Sequence, residues 1–588
     1  MNKIPLLLSP AGSPAALKAA IDAGADEVYL GGSAFNARIN ASNFDKDALI
    51  KAGRLCRSSS VNMHITLNTL IYDKEFKSVL EYVDFLANDV RPDALIVQDL
   101  GLACALRERF PSLALHASTQ MRIHSSLDAE YLKRLGFTRA VLARELPRED
   151  IRAFAQTGLE TEIFVHGAIC VSESGGCLMS AVIGNRSGNR GECAQPCRLP
   201  YRSENRYPLS LKDMCLASHI TEIADCGVTS LKIEGRMKAP DYVGAVTSVY
   251  RRLLDEGRNA SGEELKYLAR VFSRSGFTDG YFVSRISRDM FGIRSEADKQ
   301  KSASIGYRTV KTEKRAPAPK TAVNPECILP ERDAEKALHP AKQKGMVMRF
   351  EGRLPSDKLL SEIAPLAARI DIPLASCTDK RFLPYAEKIS AIIPRTAFLS
   401  EREAVIAQIE KAKEFGIKNA TISSLNHITL CEGMFLHGDY ALNVFNRETL
   451  KLFENYSLSS VMLSPESDGK FARGSQCALE YLGYGRMPLM YTRTCIIANI
   501  SGCKNKEKCV SSLIDRTGAS FPIISGHSHT NIIYNSLPTY RLDKKSELKK
   551  AGVGLLTLLF TDESEARINE VVALASSGEK PKFEYTRR

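Results

Sequence analysis

An alternation that recurs through the first 260 residues constrains this chain more than any other feature. Short apolar runs suited to buried strands alternate with stretches of helical period. Eight runs stand out: Leu6–Leu8, Glu27–Leu30, Asn62–Leu67, Ala94–Val97, Leu113–Ala117, Ala140–Ala143, Glu162–Val165 and Ser230–Ile233. Between them lie helical segments. Ala15–Ala23 follows Ser13 as N-cap and Pro14 at the first helical position, and Gly24 ends it. Lys46–Cys56, Lys77–Ala87 and Leu127–Leu135 are others, and Pro240 opens a helix towards Asp255. Eight strand–helix units in this length predict a (β/α)8 TIM-barrel-like domain. A doubly wound open sheet is the alternative. The lack of a glycine fingerprint for a dinucleotide after the first run favours the barrel.

Barrel sites form at the C-terminal ends of the strands. The residues there are Asn68, Gln98, Asp99, His116, Ser118, Thr119, Gln120, Arg144, Glu145, His166, Glu234 and Arg236. Apolar strands ending in such groups predict a polar pocket, although any one of them could be a helix cap. Consecutive runs are otherwise about 20–35 residues apart. The seventh and eighth are separated by an insertion of roughly 167–228, expected to rise from the active-site face.

At 588 residues the chain exceeds what one core usually supports. We divide it into a barrel domain at 1–290, a polar linker or small extra element at 291–345, and a second α/β domain at 346–588. The linker is marked by Lys299 to Lys301, Lys311 to Arg315, Pro317 and Pro319. In the last part, Met346–Arg349, Ala368–Ile372, Asn419–Ile422, Leu442–Val444, Ser460–Leu463 and Leu489–Tyr491 read as strands, which suits an incomplete second barrel. No close repeat of the first half is visible by eye.

The insertion holds Cys170, Cys177, Cys193 and Cys197, spaced C-x6-C-x15-C-x3-C. Four thiolates on one glycine-rich segment could bind zinc or hold a [4Fe–4S] cluster. Irregular spacing, without paired C-x2-C knuckles, leans towards the cluster. Arg186, Arg190, Arg198, Arg202 and Arg206 lie in the same segment with Tyr201 and Tyr207. They could hold phosphate and stack a base, or form a solvated loop. A later set, Cys495, Cys503, Cys509 and then His527 and His529, could make a second site for zinc or an iron–sulfur cluster, with His529 as fourth ligand. Lys504, Lys506 and Lys508 would offset the thiolate charge.

Composition narrows the class. The formal net charge of +12 suits an anionic partner such as RNA, yet is equally that of a basic soluble enzyme. No run of about 18 apolar residues predicts a membrane span, and two prolines break the apolar start. We therefore expect a cytoplasmic protein. Fifteen cysteines there argue for metal ligands and small core residues such as Cys56, Cys104, Cys215 and Cys226 rather than disulfides.

The segment Glu162-x-Phe164-x-His166-Gly167-Ala168-x-Cys170, followed by Gly175-Gly176-Cys177-Leu178-Met179-Ser180, resembles the peptidase U32 family. So do Ser9-Pro10-Ala11-Gly12-Ser13 and Ser230-Leu231-Lys232-Ile233-Glu234-Gly235-Arg236, over roughly residues 5–290. Within the family, Val97-Gln98-Asp99, Leu115 to Gln120, Val141 to Leu146 and Asn189 to Tyr201 look most like members that hydroxylate a cytidine of 23S ribosomal RNA; others act on a tRNA wobble uridine or on ubiquinone precursors. The resemblance implies oxygen-independent hydroxylation of a pyrimidine in rRNA or tRNA. It implies a [4Fe–4S] cluster on Cys170, Cys177, Cys193 and Cys197, and prephenate, a small acid, as co-substrate. His116, Gln120, Arg144, His166 and Glu234 would then bind the acid or a flipped base. The family's traditional label is collagenase-like peptidase. Neither a zinc-protease H-E-x-x-H nor a G-x-S-x-G elbow is present, although His166 could serve a cysteine nucleophile. A third reading is an iron–sulfur subunit of a larger hydroxylase complex, with an electron donor or protein partner. The second half departs from the ribosomal RNA enzymes.

Overall fold

The computed structural model describes residues 4–296 except 40, scattered positions from 298 to 333, and 343–586 except 468 and 504–508. Lys299, Lys301, Lys311 to Arg315 and Pro317 of the linker, and Lys504, Lys506 and Lys508, lie outside the described residues.

The first half is a closed barrel. Its eight parallel strands are Leu6–Pro10, Glu27–Leu30, Asn62–Leu67, Ala94–Val97, Ala114–Ala117, Phe137–Val141, Glu160–Gly167 and Ser230–Ile233. Closure comes from the eighth strand, where Leu231 is in register with Leu7 of the first strand and Ile163 of the seventh. The sixth strand starts earlier than its apolar run suggests, because Arg139 and Thr138 are buried along with the aliphatics. Ser13 caps the first helix by accepting from the Ala16 amide, with Pro14 next. The described part of the linker runs along this barrel: Pro319 accepts from Asn62 and Asn324 from Arg107.

The second half corrects our expectation of an incomplete barrel. Eight parallel strands close here too: Gly345–Phe350, Ala367–Pro373, Ile389–Ile392, Asn419–Ile422, Phe435–Gly438, Ser460–Met462, Ala478–Gly485 and Val553–Phe560. The last strand joins the first and the seventh, with Thr557 opposite both Val347 and Leu482. Two expected strands are not staves of this barrel. Leu442 ends the 3-10 turn Tyr440–Leu442, and Val444 makes only a bridge to Leu463. Leu489–Tyr491 belongs to Pro488–Thr492, in a separate antiparallel sheet with Val510–Ile514, Ser520–Ser525 and Asn531–Tyr534.

That sheet is inserted between the seventh and eighth strands, the place where the first barrel carries its four cysteines. The architecture is therefore repeated. Local structure repeats as well: Leu115-His116-Ala117 and Leu436-His437-Gly438 each precede a 3-10 turn, capped by Ser118 in one and Asp439 in the other, and closed by left-handed Arg122 and Asn443.

The barrels dock through the loops after their fourth and fifth strands. Asp99 caps the helix Leu100–Arg109 of the first barrel and accepts from Asn446, the N-cap of Arg447–Asn455 in the second. Asp128 accepts from the backbone and side-chain amides of Asn426. The insertions meet too: the amides of Glu173 and Leu178 donate to the carbonyls of Tyr491 and Leu489.

Candidate functional site at the mouth of the first barrel

The strand ends of the first barrel converge on one carboxylate. Glu234, just past the eighth strand, lies 3.1 Å from Arg144 Nη2 and 3.5 Å from Arg38 Nη2. Burial pushes its pKa up, but Arg38 and Arg144 outweigh that and hold it below the usual carboxylate range. Arg144 stacks 4.0 Å over Phe164, which fixes its direction. Arg236 donates to Thr66, Asn36 and Asn43 at 3.0, 3.3 and 2.6 Å, and burial lowers its pKa to about 10.

The cysteine segment rises beside this cluster. Cys170 lies three residues past the seventh strand, Cys177 just before the helix Met179–Gly184, Cys193 after the turn Gly188–Arg190, and Cys197 inside Pro196–Arg198. Glycine is required at two bends. Gly175 has φ +72°, and a Cβ there would lie 2.0 Å from the Gln120 carbonyl oxygen; at Gly191, φ +86°, it would lie 2.4 Å from that of Asn36. Cys170 and Cys193 are exposed, and Glu234 raises the pKa of Arg38. Burial first, and then the three other thiols, raise the pKa of Cys177; burial pushes Cys197 up to about 12. Burial and neighbouring thiols raise the pKa values of Cys177, Cys193 and Cys197, an opposition that a bound cation would relieve. No three of the sulfurs lie within 4.8 Å of one another. A zinc tetrahedron with bonds of about 2.3 Å needs them roughly 3.8 Å apart.

The five candidate side chains do not all meet. Arg144 and Glu234 pair. Gln120 lines a cavity between the barrels together with Gln98 and Arg122. His116 is fully buried inside the barrel, edge-on to His64 at 4.7 Å. His64, His116 and Glu162 place ligand atoms within 4.8 Å, but the Glu162 oxygens already accept from Lys232 and Arg139. His166 packs among Tyr242, Tyr250 and Phe277, and burial lowers its pKa to about 3. Strand alternation explains both histidines: they sit within strands rather than past them, so they face the core or the helical layer.

Two of the basic side chains in the insertion are structural. Arg190 pairs with Glu75 at 2.7 Å, and Arg198 donates to Ser210 and to the Ile169 carbonyl. In the later set, Cys503 and Cys509 lie 3.6 Å apart, while Cys495 caps the helix Ile496–Ser501 by accepting from Ala498. The described residues do not bring a third ligand atom of that set, His529 included, within 4.8 Å of this pair. Sequence reasoning missed Arg38 and Lys238. Lys238 and Arg294 both lie over Phe272, at 2.9 and 4.3 Å. Their only signal was position, in loops after the second and eighth strands and beyond the barrel.

A closed parallel barrel with four cysteines on the loop after its seventh strand defines the class, and the comparisons agree. The sequence profile of peptidase family U32 matches residues 12–291, which take in the first barrel from just past its first strand together with its insertion. An uncharacterized protease of Methanocaldococcus jannaschii is 36% identical over 51% of this chain and 79% of its own length. The 23S rRNA 5-hydroxycytidine synthase of Escherichia coli is 42% identical over 47% of this chain and 42% of its own length. A tRNA hydroxylation protein P of Helicobacter pylori is 33% identical over 48% of this chain and 73% of its own length. The chain belongs to peptidase family U32. Among the described residues no helix is long and apolar enough to cross a membrane.

Proposed function

We propose that this chain hydroxylates a pyrimidine of rRNA or tRNA, without molecular oxygen, with a [4Fe–4S] cluster on Cys170, Cys177, Cys193 and Cys197. The observation that carries the reading is the cysteine set itself, four thiols on the loop after the seventh strand, at the same strand ends as Glu234 with its partners Arg38 and Arg144. The names of the rRNA and tRNA relatives support the substrate class. When bound, the cluster would supply electron transfer. The chain's own residues do the rest. Arg38 and Arg144 offer donors to a small acid such as prephenate, and Glu234 holds both guanidiniums in place. Lys238 and Arg294, stacked on Phe272, face an RNA backbone.

The protease label of the family and of the archaeal relative keeps a peptidase reading in view. A cysteine nucleophile needs an adjacent base, and His166 is buried among tyrosines with Tyr250 as its polar neighbour.

The test is iron and sulfide content with a visible spectrum on anaerobically purified protein, beside nucleoside mass analysis of a deletion strain. About four irons and four sulfides, lost in Cys193→Ala, together with disappearance of one hydroxylated pyrimidine, support the proposal. Zinc alone, or an unchanged nucleoside profile, overturns it. Cleavage of denatured collagen that is abolished in Cys170→Ala would favour the peptidase. An intact cluster in protein that co-purifies with a dedicated partner would favour a subunit role.

A further inference from the structure

The mouth of the second barrel holds three arginines that its own carboxylates do not satisfy. Arg349 ends the first strand there, Arg395 follows the third, and Asp439 follows the fifth. Arg349 Nη2 lies 2.6 Å from both Asp439 and Glu351, and Tyr534 donates to the other Glu351 oxygen at 2.7 Å. Arg349 Nη1 is buried and has no acceptor. Arg122 reaches over from the first barrel, donates to the carbonyls of Ser423 and Ala441, and keeps an unpartnered Nε.

Arg395 is the least satisfied. Its side chain is only 9% exposed, and its one charged contact is Nη2 to Asp439 at 3.6 Å, too long for a hydrogen bond. Its Nη2 is buried and has no acceptor within hydrogen-bond reach among the described residues. It is stacked 3.5 Å over Tyr491 and 4.8 Å over Tyr440, whose hydroxyls meet at 3.1 Å. A guanidinium that is buried without acceptors is costly, because its desolvated donors get nothing in return.

The geometry selects what would relieve this. The rings pack against the guanidinium, and its unpartnered Nη2 edge is where a ligand would bond. Parallel N–H groups along that edge match two oxygens of a carboxylate or a phosphate. Charge does not decide the matter, since Glu351, Asp439 and the nearby Glu173 balance Arg122, Arg349 and Arg395. The demand is for acceptors. A cavity beside Arg349 is walled by Tyr440, Met462, Tyr481, Leu482 and Arg541. The enclosure of Arg395 under the paired insertions restricts the ligand to a small molecule.

We propose that the mouth of the second barrel binds a small oxyanion, a carboxylate or a phosphate, on the edges of Arg395 and Arg349. This stands apart from the RNA reading, since neither Arg395 nor Arg349 is in the first mouth.

The experiment is calorimetry and thermal unfolding of the full chain with benzoate, inorganic phosphate and the neutral isostere benzamide. One anion should bind saturably and raise Tm with concentration, and benzamide should not. Which anion binds identifies the ligand class. In Arg395→Gln the Kd should rise at least about tenfold. No saturable anion binding to wild type, equal binding of benzamide, or unchanged affinity in Arg395→Gln overturns the proposal. Should that variant not fold, wild-type crystals soaked in 4-bromobenzoate or arsenate decide: an anomalous peak at Arg395 supports the site, and its absence there refutes it.

Discussion

Asn446 donates its side-chain amide to Asp99 at 2.8 Å and to the Ile71 carbonyl at 3.0 Å, tying the second barrel to two loops of the first. Asp99 is 1% exposed, and it also accepts from the backbone amides of Ile71 and Leu102. Replacing Asn446 by Leu removes one donor from a buried carboxylate and should cost about 1–3 kcal/mol. Urea unfolding should show a lower midpoint. If the junction couples the barrels, one transition should split into two. An unchanged single transition would deny the junction that role.

The backbones approach closely at the same junction. A Cβ on Gly101 would lie 2.4 Å from the Thr449 amide nitrogen. Gly101→Leu should therefore wedge the two helices apart, where their own barrels hold each in place. Small-angle scattering should report a larger radius of gyration than wild type.

His124 and Glu145 form a buried pair at 2.7 Å. Burial works against both charges, but each partner outweighs it, so the pKa of His124 is raised and that of Glu145 lowered. The histidine's contribution is complete below its unfolded value of about 6.5 and fades as pH rises through the folded one. The carboxylate's is complete above its unfolded value of about 4.3 and fades as pH falls through the folded one. Stability from this pair is thus greatest between those two values. Glu145→Gln should lower stability there most, and should abolish the wild-type decline above pH 6.5. A parallel decline in the variant would show that another group titrates.

Glu234→Gln leaves Arg38 and Arg144 with a weaker, neutral acceptor. On the hydroxylase reading, the modified nucleoside in a complemented deletion strain should fall at least about tenfold, with the fold retained by circular dichroism. Normal modification would remove Glu234 from the site.

Lys238 and Arg294 should act on RNA through charge alone. Lys238→Gln should weaken binding of unrelated single-stranded RNAs to a similar degree. Burial lowers the Lys238 pKa to about 7, so the slope of log K against log salt should fall by about one well below pH 7 and by less above it. A sequence-dependent loss would instead assign Lys238 to base recognition.

The first barrel was readable because its strands are buried on both faces, so that runs such as Ala94–Val97 and Ser230–Ile233 are continuous and bounded by turns. The second was harder. Phe435–Gly438 carries His437 at its centre, so the more apolar Leu442–Val444 reads as the strand, although Leu442 ends a 3-10 turn and Val444 makes only a bridge. The buried interior of that barrel is polar: Arg369 bonds to Asp371 and Glu480, which blurs the strand signal. At the site, Arg144 and Glu234 were legible as strand-end residues. Arg38 was not, because it comes from an irregular loop and meets Glu234 only through the closure of the barrel. His116 and His166 differ from these: their residue types suggest chemistry, and their positions within strands bury them among other side chains.

The repeated architecture has a consequence for assembly. Two like barrels that met as separate chains would associate only at sufficient concentration, and both copies would have to present the same surfaces. Joined by residues 291–345, they stay paired at any dilution. Each copy is also released from symmetry. One mouth could keep thiols beside a carboxylate while the other collected tyrosines around a guanidinium, so that covalent linkage allows a single polypeptide to behave as an obligate heterodimer.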